Sequence, residues 1–390
     1  MTCAKSLVLP QEILEHILDF LHDDVQTLRA CALAARVFLQ TSRYHRFNGL
    51  ALAYPRTSRL SNLLSVSPDL AWSIKSLRLT SATHLALDSD LRLLQHLPAL
   101  TDLSVIGPVL TSIAAHAPNL TTLRVRWTRS TASCKYLIFG IADFLSLEEL
   151  ELVDIRLSSQ DVSSPEYPAA PPLRKLRFKG GDCAAAICGW LAAVESIPPF
   201  HSLSHDIRER RDAEEFVQLA ETLSPLVHEL TLRFIPEGNM NDALADTALT
   251  LCPFTVLRSC TLRFAFGEMC VPQNTSLPWI PTIIGQLSSS HLQTLRISLA
   301  VDNVEDLRSL ASECAVRVIS PAYFDDMRFL DWEGIERALV SEQLRGITRV
   351  LLEGRGSRTA LENHIKTLCP ELHSRGILLL VPVEGAPWLD

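Results

Sequence analysis

Apolar residues recur along the chain in one short form, apolar-x-x-apolar-x-apolar. It reads IKSLRL, LTDLSV, LTTLRV, LEELEL, LRKLRF, VHELTL, LRSCTL, LQTLRI and ITRVLL, with central anchors Leu77, Leu103, Leu123, Leu150, Leu176, Leu230, Cys260, Leu295 and Val350. The two-residue period within each segment is that of a strand buried on one face. Successive anchors lie 26, 20, 27, 26, 54, 30, 35 and 55 residues apart. Because 54 is twice 27, the spacing predicts a further strand near Leu203, where the chain reads FHSLSH. Between the anchors, SDLRLLQHL, KYLIFGIADFL, AEEFVQLAETL and LENHIKTL carry apolar residues at three- and four-residue spacing and predict helices. Pro or Asn follows in HAPNL, LCPF and LCPEL, closing each helix before the next strand.

Strand and helix alternating at this interval resemble a leucine-rich repeat solenoid. The resemblance covers roughly residues 70 to 385. It implies an α/β fold in which residues 51–385 form a leucine-rich repeat domain, with a parallel sheet on the concave side and helices on the convex side. The repeats depart from the family pattern: the Asn or Cys expected after each strand is mostly missing, as where Ala82 follows LRLTS. SSQDVSSPEYPAAPP at 158–172 has no periodicity and reads as a solvated loop; its Ser164-Pro165 is a candidate phosphorylation dipeptide.

Residues 9–47 follow a different pattern. Pro10 suits the first turn of a helix, and Ile13, Leu14, Ile17, Leu18 and Leu21 form one wide apolar stripe behind it. A second helix is expected after Asp23 or Asp24, either of them a good N-cap, with Val25, Leu28, Cys31 and Ala32 on one side. A third segment holds Phe38, Leu39, Tyr44 and Phe47. Three short helices cannot bury this much apolar surface among themselves. The run of Leu9-Pro10, Glu12-Ile13, Ile17, Leu21, HDD, TLRAC, Leu33, Arg36, Phe38 and SRYH resembles the F-box, in the version that precedes leucine-rich repeats in fungal proteins. The resemblance implies that residues 1–50 dock on a Skp-type adaptor, and through it on a cullin scaffold. Leu9, Pro10, Ile13, Ile17, Leu28, Leu33 and Phe38 would be adaptor contacts or their direct support. Ala34 and Ala35 depart from the family pattern, and Phe38 stands where it has Trp. Periodicity alone also allows a second reading, a cap that closes the first repeat's core.

With 390 residues, the chain exceeds the size at which one globular core stops growing, so two domains or an elongated repeat are expected. Its 44 Asp and Glu against 36 Lys and Arg, net −8, disfavour nucleic acid and anionic membrane as partners. Pro10 and Glu12 interrupt any signal-peptide core, and the late apolar run GILLLVPV is too short to span a bilayer. A cytoplasmic or nuclear protein is expected, and in that setting the ten Cys read as small buried residues rather than disulfides.

Cys183, Cys188, His201 and His205 fit zinc-finger spacing, but Pro198-Pro199 forbids the helix that such a finger needs before its first His, so no metal is expected. Nucleophile-elbow, phosphate-loop, metalloprotease, dinucleotide and calcium-loop motifs are missing from the sequence. Asp325-Asp326 and the run RERRDAEE at 208–215 read as solvated helix starts. No cofactor and no catalysis by this chain are expected.

A binding face follows from the strand pattern. Residues one before, one after and three after each anchor point away from the core. They include Arg78, Arg124, Arg126, Lys175, Arg177, Lys179, Arg233, Arg263 and Arg296, against Asp102, Glu149, Glu151, Asp206 and Glu229. Such a face suits an acidic or phosphorylated peptide of a protein substrate. The function expected is a substrate-recognition subunit of a cullin–RING ubiquitin ligase. A repeat scaffold outside any ligase, and a hydrolase-like site assembled from distant loops, are the competing readings.

Overall fold

A computed structural model of the chain describes residues 9–53, 56–80, 87–107, 110–127, 131–158, 167–194, 198–235, 249–265, 279–300, 331–354 and 358–382. The chain divides into two compact units, residues 1–150 with 161–172, and residues 151–160 with 173–390. The change from one to the other falls inside a strand.

The first unit opens with α1 (Gln11–Asp19), α2 (Val25–Ala34) and α3 (Arg36–Phe47). Asp24 is the cap that sequence reasoning left open against Asp23: its carboxylate accepts from the N–H groups of Gln26 and Thr27 at 3.1 and 3.0 Å. Hydrogen bonding from the Thr27 hydroxyl, then from the Thr27 amide, holds the Asp24 carboxyl below its ordinary value. His45 of α3 meets Asp19 of α1 at 2.8 Å, joining the ends of the two helices. Then follow β1 (Gly49–Leu52), α4 (Arg56–Val66), a 3-10 turn at Pro68–Ser73, β2 (Ser76–Leu79), α5 (Leu87–Leu94), β3 (Asp102–Ile106), α6 (Leu110–His116), β4 (Thr122–Arg126), the two-residue β5 (Thr131–Ala132) and α7 (Cys134–Ala142). Strand β6 (Glu149–Leu157) carries the boundary between the units.

The second unit continues with β7 (Lys175–Gly181), α8 (Ala184–Ala193), β8 (Ser202–Ile207), α9 (Arg210–Leu223), β9 (Glu229–Phe234), β10 (Ser259–Ala265), α10 (Trp279–Gly285), β11 (Thr294–Ala300), α11 (Trp332–Leu339), β12 (Arg349–Gly354), α12 (Arg358–Leu368), α13 (Pro370–Ser374) and β13 (Leu378–Pro382). Pro370 closes α12 and opens α13, at a first-turn position where its missing N–H is no loss.

In each unit the fold is α/β with parallel strands that pair in sequence order. In the first, β1 to β4 align Leu50, Leu77, Leu103 and Leu123. In the second, β7 to β13 align Leu176, Leu203, Leu230, Cys260, Leu295, Val350 and Leu378. The strand expected near Leu203 is therefore β8, and it is in register with its neighbours. The first apolar position of each six-residue segment is buried as well, from Ile74 to Ile347.

The turns that lead into the strands are tied to one another by backbone hydrogen bonds. The carbonyl two residues before an anchor accepts the two N–H groups at the equivalent place one repeat later. Lys75 receives Thr101 and Asp102, Thr101 receives Thr121 and Thr122, and in the second unit His201 receives His228 and Glu229. Arg258 and Gln293 repeat the pattern. These backbone groups are thus paired with one another, and the hydroxyls of Thr101, Thr121 and Thr348 add to three of the carbonyls. Aromatic packing thickens the second unit's core: Phe216 stacks on Phe254, and Phe234 and Phe264 stack beside Trp279.

Candidate functional site

The three N-terminal helices split their apolar residues between two faces. On α1 and the residues just before and after it, Leu18 is buried and Leu14 and Leu21 half-buried, while Leu9, Ile13 and Ile17 are each 48% exposed and Phe20 is 76% exposed. Ile13 and Ile17, four residues apart, share one side of α1, and Leu9 and Phe20 flank it at the two ends. Leu33 at the end of α2 is 81% exposed, and Val25 and Val37 are exposed too. Pro10 is exposed, Phe38 half-buried, and Leu28 fully buried. Of the residues expected to touch or support an adaptor, Leu9, Pro10, Ile13, Ile17 and Leu33 are thus exposed, Phe38 is half-buried and Leu28 is fully buried. Phe20 was missed, although its place three residues beyond Ile17 continues the same stripe; of the residues placed on one side of α2, Leu28 is buried and Val25 is exposed.

The strand residues expected to point away from the core do alternate with buried anchors. Arg78 shares a row with Ser104 and Arg124, and Arg126 pairs with Ile106 across the next strand. In the second unit Lys175, Arg177 and Lys179 alternate with buried Leu176 and Phe178. One row after the anchors runs Arg177, Ser204, Thr231, Thr261 and Arg296, and the next runs Asp206, Arg233, Arg263, Ser298 and Glu353. Arg349 and Glu353 belong to this face by the same strand rule and were overlooked.

Most of the cations in these rows are committed to carboxylates. Lys179 lies 2.7 Å and Arg177 4.0 Å from Glu151, Arg233 3.7 Å from Asp206, and Arg296 2.9 Å from Glu353. Glu151, Asp206 and Glu353 are nearly buried, whereas their partners keep much of their surface. The acids lie low on the sheet and the basic heads close over them. A count of charges therefore overstates how basic the face is.

At the start of α9 the structure corrects the reading of RERRDAEE as solvated. Asp212 and Glu215 are both buried. Glu209 and Asp212 form a capping box, and Asp212 accepts from the Arg208 N–H at 2.7 Å. Arg208 also reaches Asp154, which has φ +53°, at 3.2 Å, and Arg211 bridges Asp182 and Glu215 at 3.1 and 3.2 Å. Burial pushes Glu215 up to about 7 and Asp206 up to about 6, against the pull of Arg211 and Arg233 respectively. His205 occupies the third apolar position of its strand, between the rings of Phe178 and Phe216, and burial lowers it to about 4.

Cys183 and Cys188 are buried on the α8 side, Cys188 beside the Gln218 carbonyl, and His205 is turned to the Asp212 carbonyl. Among the described residues no group of three or more His, Cys, Asp or Glu is placed to hold a metal ion, and no helix is long and apolar enough to cross a membrane. Ser164-Pro165 and Asp325-Asp326 lie outside the described residues. No family model matches the chain, and no curated protein matches it.

Proposed function

We propose that the chain is a substrate-recruiting subunit of a cullin–RING ubiquitin ligase, with α1 to α3 docking as an F-box on a Skp-type adaptor and the leucine-rich repeats presenting a protein substrate. The observation that carries this reading is the set of exposed apolar residues of α1 and its two ends, Leu9, Ile13, Ile17 and Phe20, together with exposed Leu33 at the end of α2. A segment that served only to cap the first repeat would turn these residues inward. Half-exposed Ile and Leu side chains each leave on the order of 1 kcal/mol of burial unrealised, which a partner surface recovers. Ubiquitin transfer would be carried out by partner subunits, and this chain would supply proximity by raising the effective concentration of substrate.

The test is co-purification of the full chain with a Skp-type adaptor, with an Ile13→Asp, Ile17→Asp double variant alongside. The wild type should retain the adaptor and the variant should lose it with an unchanged melting temperature, because both side chains already face solvent. If neither retains it, the ligase reading fails, and a repeat scaffold outside any ligase takes its place.

A further inference from the structure

The row three residues after the anchors leaves one arginine without a carboxylate, because Glu353 is taken by Arg296 of the neighbouring row. From β8 to β12 it presents Asp206, Arg233, Arg263, Ser298 and Glu353. Arg233 is drawn to Asp206 at 3.7 Å, and Glu353 is occupied by Arg296 at 2.9 Å. Arg263 stands between these two pairs. Its in-register neighbours are a second arginine, Arg233, and the nearly buried Ser298. No carboxylate among the described residues pairs with it, and its buried Nε makes no hydrogen bond.

A guanidinium is charged at every relevant pH and offers five donors in a fixed fork. Withdrawing it from water beside a like charge without a counter-ion is unfavourable, and an oxyanion bound between the two arginines removes that penalty. Lys179 and Arg177 are satisfied by Glu151 and lack this feature.

We infer that Arg263, flanked by Arg233 and Arg296, is the anchor of an oxyanion subsite that takes a carboxylate or phosphoryl group of a bound polypeptide. The inference rests on the reading of the strand face as the substrate surface. It narrows that surface to β9, β10 and β11, and it assigns bidentate recognition to one residue. The flanking pairs fix its limits: Asp206 on one side and Glu353 on the other repel a second anion, so the subsite accepts one acidic group rather than an acidic tract.

The test uses the full chain and three fluorescein-labelled 12-residue Gly/Ser/Ala peptides that differ only at a central phosphoserine, glutamate or serine, read by fluorescence anisotropy, with inorganic phosphate as competitor. The phosphoserine or glutamate peptide should bind the wild type at least about tenfold more tightly than the serine peptide. Arg263→Gln should abolish that preference, Arg263→Lys should retain part of it, and Lys366→Gln, on helix α12 and off the strand face, should leave it intact. Inorganic phosphate displacing the peptide places the contact at the phosphoryl group itself, whereas equal binding of the glutamate peptide shows that a carboxylate suffices; either outcome supports the subsite. Equal binding of all three peptides, or an unchanged preference in Arg263→Gln, overturns it. Because an unpaired charge is removed, Arg263→Gln should melt no lower than the wild type, and a lower melting temperature would point to a structural role instead. Adaptor co-purification is scored on the same preparations, so loss of the adaptor with the peptide preference intact refutes the ligase reading and leaves the subsite standing.

Discussion

Glu215 gives the sharpest quantitative test of how the second unit is held together. It lies on α9, 7% exposed, with the Arg211 guanidinium at 3.2 Å. Burial raises its carboxyl from 4.5 to about 7; Arg211 opposes the rise, while Asp212 and Asp182 add to it. The folded chain therefore holds this proton more tightly than the unfolded chain. The resulting stabilisation is complete below about pH 4.5 and is lost as pH rises through about 7. At 1.36 kcal/mol per pKa unit, the whole effect is on the order of 3 kcal/mol. Glu215→Gln keeps the shape and removes the titration. At pH 5 wild type and variant should melt within a degree or two of each other. At pH 8 the variant should melt about 6–12 °C higher, using the usual 2–4 °C per kcal/mol for a unit of this size. Differential scanning fluorimetry of the two proteins from pH 5 to pH 8 reads the difference directly. A gap that stays constant across that range would refute the picture of a desolvated carboxylate and make Glu215 an ordinary surface ion pair.

His205 works in the opposite sense. Its folded value of about 4 lies below the ordinary 6.5, so the unfolded chain takes up the proton first and stability falls between pH 6.5 and pH 4. His205→Phe, placed between Phe178 and Phe216, should gain up to about 3 kcal/mol over the wild type across that window, measured as a widening melting-temperature gap; a constant gap would count against it. Gly181 has φ +86°, and a Cβ there would collide with the backbone of Ile155. Gly181→Ala should therefore cost at least about 2 kcal/mol, seen as a lower melting temperature, and an unchanged one would show that β6 yields easily.

Opposed titrations explain why the wild type alone is a poor probe. Between about pH 4.5 and 6.5, Glu215 and Asp206 strengthen the fold as pH falls while His205 weakens it. The sum is flatter than any of its parts. All of these groups sit on β8 and α9, where a polar His fills an apolar place in the repeat and draws the acidic start of the helix inward. The pattern FHSLSH marks the position, but nothing in it announces the consequence.

The repeat was legible because burial leaves a one-dimensional record. Each strand buries alternate residues against the same core, so spacing alone placed ten anchors, including Leu203, and assigned Arg177, Arg233, Arg263 and Arg296 to the other face. Helix starts were legible for a similar reason, since a cap such as Asp24 acts within three residues of itself. What spacing cannot carry is the identity of a neighbour one repeat away. The pairing of Arg296 with Glu353 joins residues 57 apart, and it exists only because β11 and β12 lie side by side in register. The same holds for α1, whose wide apolar stripe states how much surface is to be covered. Only packing against α3 decides that Leu18 turns inward while Ile13, Ile17 and Phe20 remain outside. Local periodicity thus fixed which face each strand residue takes, while the packing of helices and the stacking of distant segments fixed what is covered and what each residue meets, because contact across strands depends on register and not on distance along the chain.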